Sequence, residues 1–317
     1  MADGRAEDGF HSGELSVIGR ISTASNVTLV CEIAPDGGVR TEGNICTPGG
    51  GTTRTPGGGT TRTPGGGNIH IPGGGNIHIP GGDAVDAGVR VVYKPVRGER
   101  PLWDFPDGTL AGREVASYRV SQALGWGVIP ETILRDGPFG PGMVQRWVES
   151  VDHHTEPANR LDLVDLVTVG AVPDGFREIL RAVDGTGAEV SLVHADDPRL
   201  RRMAVLDVLL NNADRKGGHA LEGLDGGVYG VDHGICLHAE PKLRTVLWGW
   251  AGEPVGEELL TDIGTFVKAL PGDLGAELAE HLTDAEVEAL GARARRLLDD
   301  PVMPLPEGSR PIPWPAF

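Results

Sequence analysis

Asn211 to Leu221 reads NNADRKGGHAL, and 18 residues after Asp214 comes Asp232, in VDHG, Val231 to Gly234. The stretch just before, PRLRRMAVLDVLL at 198–210, opens on a proline and turns strongly apolar, which predicts a buried helix. That helix runs directly into polar residues packed around one aspartate. A second aspartate follows where short strands are expected, near 227–231 and 234–237. Loops held by a buried scaffold are where binding and catalytic side chains concentrate.

Working outward, residues 14–33 (ELSVIGRISTASNVTLVCEI) read as two strands around a turn at Gly19–Asn26, with Val27, Leu29 and Cys31 alternating against Thr28 and Val30. GVRVVYK at 88–94 is a third β-branched run, and 128–149, ending in GMVQRWVE, suggests further strands. GREVASYRVSQAL at 112–124 has helical apolar spacing, with Gly125 placed to end the helix. Residues 160–181 read as helix interrupted by Pro173, and the C-terminal third as helices over 255–270, 273–282 and 284–299. The last opens on a capping box, Thr283 with Glu286. Strands, one helix, more strands and then mostly helices make an α+β, two-lobed arrangement. Its N-lobe would comprise 1–46 and 83–149, and its helical C-lobe 150–300, followed by a Pro-rich tail at 301–317.

Residues 47–82 interrupt the β-rich part with an octad repeat, PGGGTTRT twice and PGGGNIHI twice. Such Pro and Gly content cannot build a core, so the insert is expected to be disordered. A copper site through His70 and His78 is disfavoured, because Pro72 and Pro80 remove amide donors that a peptide-nitrogen site would use.

The 317 residues carry a formal charge of -17, which disfavours nucleic-acid and anionic-membrane partners. The three cysteines, Cys31, Cys46 and Cys236, are too few for a disulfide framework or zinc site. No signal-like segment opens the sequence and no run approaches a membrane span, so the expected setting is cytoplasmic. Of 28 basic residues only four are lysine: Lys94, Lys216, Lys242 and Lys268. A lysine kept among so many arginines suggests a need for a compact ammonium.

Two loop aspartates on a buried scaffold suit phosphoryl transfer, which needs one carboxylate to orient the acceptor hydroxyl and another to hold the metal. Gly234 would let the backbone turn sharply beside that metal. Here the sequence resembles the phosphoinositide kinases and their relatives in the protein-kinase-like superfamily, whose catalytic loop reads D-R-x-x-x-N and whose metal motif reads D-x-G. Asp214-Arg215 matches the first pair and Asp232-His233-Gly234 the second. The resemblance implies a kinase-like fold with ATP and Mg²⁺ or Mn²⁺, Asp214 and Arg215 as catalytic residues, and Asp232 as metal ligand. His219 stands where the family has its metal-binding asparagine and would join Asp232.

Lys94 in VVYKP matches the family's ATP lysine, and Glu114, 20 residues on, the glutamate that pairs with it. Ser22, Ser25 and Asn26 fall in the phosphate-covering loop, and Gln145 and Val148 in the adenine-contacting hinge. The run from VYKPVRGERPLWDFPDGTLAGREVASY to VDHGICLH is also similar to a bacterial family distantly related to those kinases. The acceptor implied is a protein or metabolite hydroxyl. A nucleotide-binding pseudokinase and an AMP-transferring enzyme stay open.

Plainer readings compete at each position. Asp214 and Asp232 could be ordinary turn residues, Glu114 a solvated helix residue, and Arg215 a loop-holding ion-pair partner. In WDFPDGT (Trp103–Thr109) a buried Trp and Phe would anchor the loop, and His153, His154 and His238 read as surface residues. Loop-closure entropy grows by only about 0.6 kcal/mol per doubling of length. Excising residues 48–82 is therefore expected to leave the fold intact, and a large drop in melting temperature would contradict this.

Overall fold

The computed structural model describes residues 9–21, 24, 26–34, 68–71, 75–78, 88–106, 109–151 and 161–317. Among them the chain is α+β. A five-stranded antiparallel sheet contains β1 (Leu15–Arg20), β2 (Leu29–Ile33), β5 (Val89–Pro95), β6 (Thr132–Gly137) and β7 (Gly140–Arg146), in the order β1-β2-β5-β7-β6. Within the insert, β3 (Asn68–Ile71) and β4 (Gly75–His78) pair antiparallel, with Asn68 opposite His78. For these residues the pairing differs from the expected disorder, and both segments bring the β-branched isoleucine that favours a strand. The rest of the insert lies outside the described residues.

Strand alternation gives the large sheet two faces. Leu29, Cys31, Ile33, Val91, Tyr93 and Val144 pack on one side under Phe10 and Leu15. Lys94, directly opposite Met143 in the β5–β7 register, points to the other side. That side meets α1 (Leu110–Ala123), a helix with no single apolar stripe because it is buried nearly all round, Arg113 and Glu114 included. Thr109 caps α1 by accepting from the Gly112 amide at 2.9 Å. Glu99 accepts from the Leu110 and Ala111 amides at 3.0 and 2.8 Å, supplying the negative charge that the first turn lacks.

A second sheet, ordered β8-β10-β9, joins β8 (Val164–Thr168), β9 (Phe176–Val183) and β10 (Glu189–Ala195). It replaces the helix expected over 160–181. The apolar spacing there fits helix and strand alike, and the β-branched Val164, Val167 and Thr168 together with pairing to β10 decide for strand. Then come α2 (Pro198–Leu210) and the short pair β11 (Ala220–Glu222) and β12 (Val228–Gly230). The helices α3 (Glu257–Ala269), α4 (Asp273–Ala279) and α5 (Asp284–Asp299) follow. The strand expected at 234–237 does not form. The main core gathers Leu200, Leu206, Trp250, Phe266 and Leu290, among others. Among the described residues no helix is long and apolar enough to cross a membrane.

Both carboxylate oxygens of Glu286 are committed. One meets Arg113 Nη2 at 2.6 Å, and the other accepts from the Thr283 amide at 2.9 Å in the capping box. Arg113 also donates to the Cys236 carbonyl at 3.0 Å, so α1 is tied to α5 and to the segment after Gly234. Glu286→Ala is expected to destabilise the protein by about 3–5 kcal/mol in denaturant unfolding, because it strands a buried guanidinium.

Candidate functional site

α2 is capped by Asn211, which takes a left-handed conformation (φ 51°) and turns the chain into the loop that carries Asp214. The loop is built on a fully buried ion pair, Arg215 Nη2 to Asp207 Oδ1 at 2.9 Å. Asp207 also accepts from Asn212 Nδ2 at 2.9 Å and Thr245 Oγ1 at 3.3 Å. Arg215 reaches the second loop through the Val231 carbonyl at 3.3 Å and His233 Nε2 at 2.6 Å. Arg215 is therefore a positioning residue with no access to the cleft, a correction to its expected catalytic role. Its donors are consumed in joining the two loops.

Asp232 sits at φ 61°, so the sharp turn falls on the aspartate and not on Gly234 as expected. Gly234 serves close approach instead: a Cβ there would lie 3.3 Å from Leu110 Cβ. With Asp232 turned this way, Lys94 Nζ contacts Asp232 Oδ1 at 2.7 Å and Glu114 Oε1 at 2.5 Å. The amide of His233 donates to Glu114 Oε2 at 3.3 Å. Burial alone would pull the Lys94 ammonium down, but the Asp232 and Glu114 carboxylates hold it above the ordinary lysine range. The same ammonium, against the cost of burial, keeps the Asp232 carboxyl well below the usual carboxylate range.

His219 lies across from this pair. Its Nδ1 is 3.0 Å from the Asp214 carbonyl, which can only accept, so Nδ1 carries the proton. Burial pulls its pKa down to about 4, which leaves a neutral ring at pH 7. Nε2 then presents a lone pair toward Asp232 Oδ2, 3.5 Å away. Two electron-rich atoms facing each other make a gap suited to a cation, and a carbonyl on the far ring nitrogen is the usual support of a metal-binding histidine. Among the described residues no group of three or more His, Cys, Asp or Glu could hold a metal ion unaided. Mg²⁺ needs only one or two protein carboxylates when phosphates complete its shell.

Asp214 is 3.4 Å from Lys216 Nζ, and its amide is held by Asn212 Oδ1 at 3.0 Å. Burial pushes the Asp214 carboxyl up to about 6, with Lys216 pulling the other way. Asp214, Asp232, Lys94 and Glu114 line one cleft of about 270 Å³, together with Asn26, Glu99 and Arg100. Asn26 Oδ1 accepts from the Arg100 amide at 3.0 Å, tying the β1–β2 turn to the segment after β5. Ser22, Ser25, His153 and His154 lie outside the described residues.

The two hinge candidates are not brought to this cleft. Gln145 shares the sheet face of Lys94, but it is buried and donates to Thr132 Oγ1 at 2.9 Å. Val148 lines a separate hollow with Trp147 and Tyr229. Trp103, expected to be buried, is 91% exposed, whereas Phe105 is buried, edge-on against His238 and under Arg113. His238 is half-buried, packing on Phe105 while its Nδ1 accepts from the Glu240 amide at 2.9 Å. Sequence reading noted Lys216 through one signal, its rarity as a lysine, but did not place it in the site. It missed Glu99 and Asp207, for which there was none.

The chain is 50% identical over 309 residues to Protein Rv2133c of Mycobacterium tuberculosis, covering 96% of this chain and 93% of that protein. It belongs to the same family. No protein-family model matches it.

A carboxylate whose pKa rises on folding binds its proton more tightly in the native state, so it costs stability as pH rises from about 4 towards and beyond 6. Asp214→Asn is expected to be more stable than the parent at pH 7.5, by about 1–3 kcal/mol in urea unfolding. The difference should shrink at pH 4.

Proposed function

We propose that the protein is an ATP-dependent phosphotransferase with a two-lobed, protein-kinase-like architecture, acting on a hydroxyl of a protein or metabolite. The observation that carries this reading is Lys94 held between Glu114 and Asp232, with the His219 lone pair facing the free oxygen of Asp232. Lys94 would exchange its contact with Asp232 for the α- and β-phosphates of the nucleotide, while Glu114 keeps the ammonium in place. Asp232 and His219 would hold a divalent ion, which when bound neutralises the β- and γ-phosphates. Asp214 takes the acceptor's proton as the acceptor oxygen bonds to the γ-phosphorus. The bond from that phosphorus to the bridging oxygen breaks, and ADP leaves. Lys216 stands beside Asp214, where negative charge on the transferring group would meet it.

One observation favours a second reading, an ATP-binding pseudokinase. The metal-side carboxylate Asp232 is already neutralised by Lys94, and an imidazole stands where Mg²⁺ prefers oxygen. Transfer of AMP is a third outcome, separable by the mass of the adduct.

ATP turnover with Mg²⁺ and with Mn²⁺ tests the proposal. Asp214→Ala is expected to lower kcat by 10²-fold or more, a loss on the scale of general-base catalysis, about 10²–10⁴. The parent rate should fall as pH drops through about 6, where Asp214 takes up its proton. Equal rates in parent and variant would sink the proposal, and tight ATP binding without product would favour the pseudokinase.

A further inference from the structure

The Pro-rich tail forms a bonded path across the helical part of the molecule. The Pro301 carbonyl accepts from the Val255 amide at 2.7 Å, and Met303 exchanges bonds with Gly252 and Glu253, each 2.9 Å. Further on, the Pro311 carbonyl accepts from the Thr245 amide at 3.1 Å and from Trp248 Nε1 at 2.9 Å. The Ala316 carbonyl accepts from the Gly217 amide at 2.8 Å. At Pro301, Pro311 and Ala316 the tail offers carbonyls only, which suits a segment whose prolines have no N–H to satisfy. Ile312, Ala316 and Phe317 pack against the main core.

The path ends beneath the turn Gly217–His219. A Cβ on Gly217 would lie 2.6 Å from Phe317 Cε1 and 3.3 Å from Val164 Cγ1, so the ring occupies the space that a side chain would take. Gly217 has no positive φ, and its glycine is needed for this close approach. From above, the His219 carbonyl is gripped by the Val231 amide and by Arg215 Nη1, each at 3.0 Å. The turn is therefore clamped between the loop network and the tail. Only a small void of about 30 Å³, lined by Phe317, Val164 and Gly218 among others, remains beneath it.

We propose that residues 311–317 are a strap that sets the height of the Asp214–His219 loop, with Phe317 as its positioning residue. The catalytic part of this role rests on the phosphotransfer reading. Without the ring, Gly217 loses its floor, and His219 is no longer held at a fixed distance from Asp232. Ångström-scale misplacement of this kind lowers turnover while leaving nucleotide binding through Lys94 in place.

The test compares the parent with Phe317→Ala, Phe317→Leu, Gly217→Ala and the double variant Gly217→Ala/Phe317→Ala. In Phe317→Ala, amide exchange at Gly217–Ala220 should rise about tenfold, while α3 and α5 keep their protection. Turnover should fall about tenfold, with the ATP dissociation constant within about twofold of the parent. Phe317→Leu should restore most of the rate. Gly217→Ala should lower the rate too, because its methyl would displace the ring, and the double variant should be no slower than the worse single, since removing the ring relieves that clash. Unchanged exchange at Gly217 in Phe317→Ala overturns the strap. So does a rate loss that comes with exchange rising throughout the helical part and is not rescued by leucine. If the parent releases no product at all, the phosphotransfer reading fails, and exchange at Gly217 still decides for or against the strap.

Discussion

A guanidinium sealed from water is the constraint from which the site follows. Arg215 cannot lose its charge, and every donor it buries must find an acceptor. Asp207 neutralises it, and the remaining donors take the carbonyls of His219 and Val231 and the ring of His233. These acceptors come from two loops that the sequence separates by 18 residues at their aspartates. Satisfying one side chain therefore draws Asp214 and Asp232 to the same cleft. Thr245 and Asn212, by bonding Asp207 in turn, extend the network into the segment that backs the loop.

The other half of the cleft depends on α1. A helix whose first turns are buried nearly all round has its rotation fixed by packing, and Arg113 and Glu114 divide the labour between neighbouring faces. Arg113 faces α5 and the carbonyl of Cys236, while Glu114 faces Lys94. Glu99 at the helix start and Glu286 at its flank place negative charge where it is hydrogen-bonded. The result is a cationic point, Lys94, set between carboxylates in a strongly acidic chain.

Much of this was legible in the sequence. The order of Lys94, Glu114, Asp214 and Asp232, with an apolar helix before the third, was enough to anticipate one cleft, and the structure brings all four together. The capping box at Thr283 and Glu286 read true because caps are local chemistry. The segment at 160–181 did not, since its apolar spacing satisfied two periods, and pairing with β10 together with its β-branched residues chose between them. Arg215, Gln145 and Trp103 were misjudged for a shared reason. Each has a role set by what lies across the fold from it, and a sequence shows the residue without its neighbours. Phe317 is the extreme case: its meaning depends on a glycine 100 positions earlier.

The register of β2 against β5 has a consequence for how such a chain can change over generations. Ile33 pairs with Val89 at one end of the ladder, and Leu29 with Tyr93 at the other. The octad repeat joins the Ile33 and Val89 ends, while Lys94 lies beyond the opposite end, across the full length of the ladder. Tandem repeats gain and lose copies readily when a gene is replicated. Here a gained or lost copy would enter the fold at the end of the ladder farthest from Lys94.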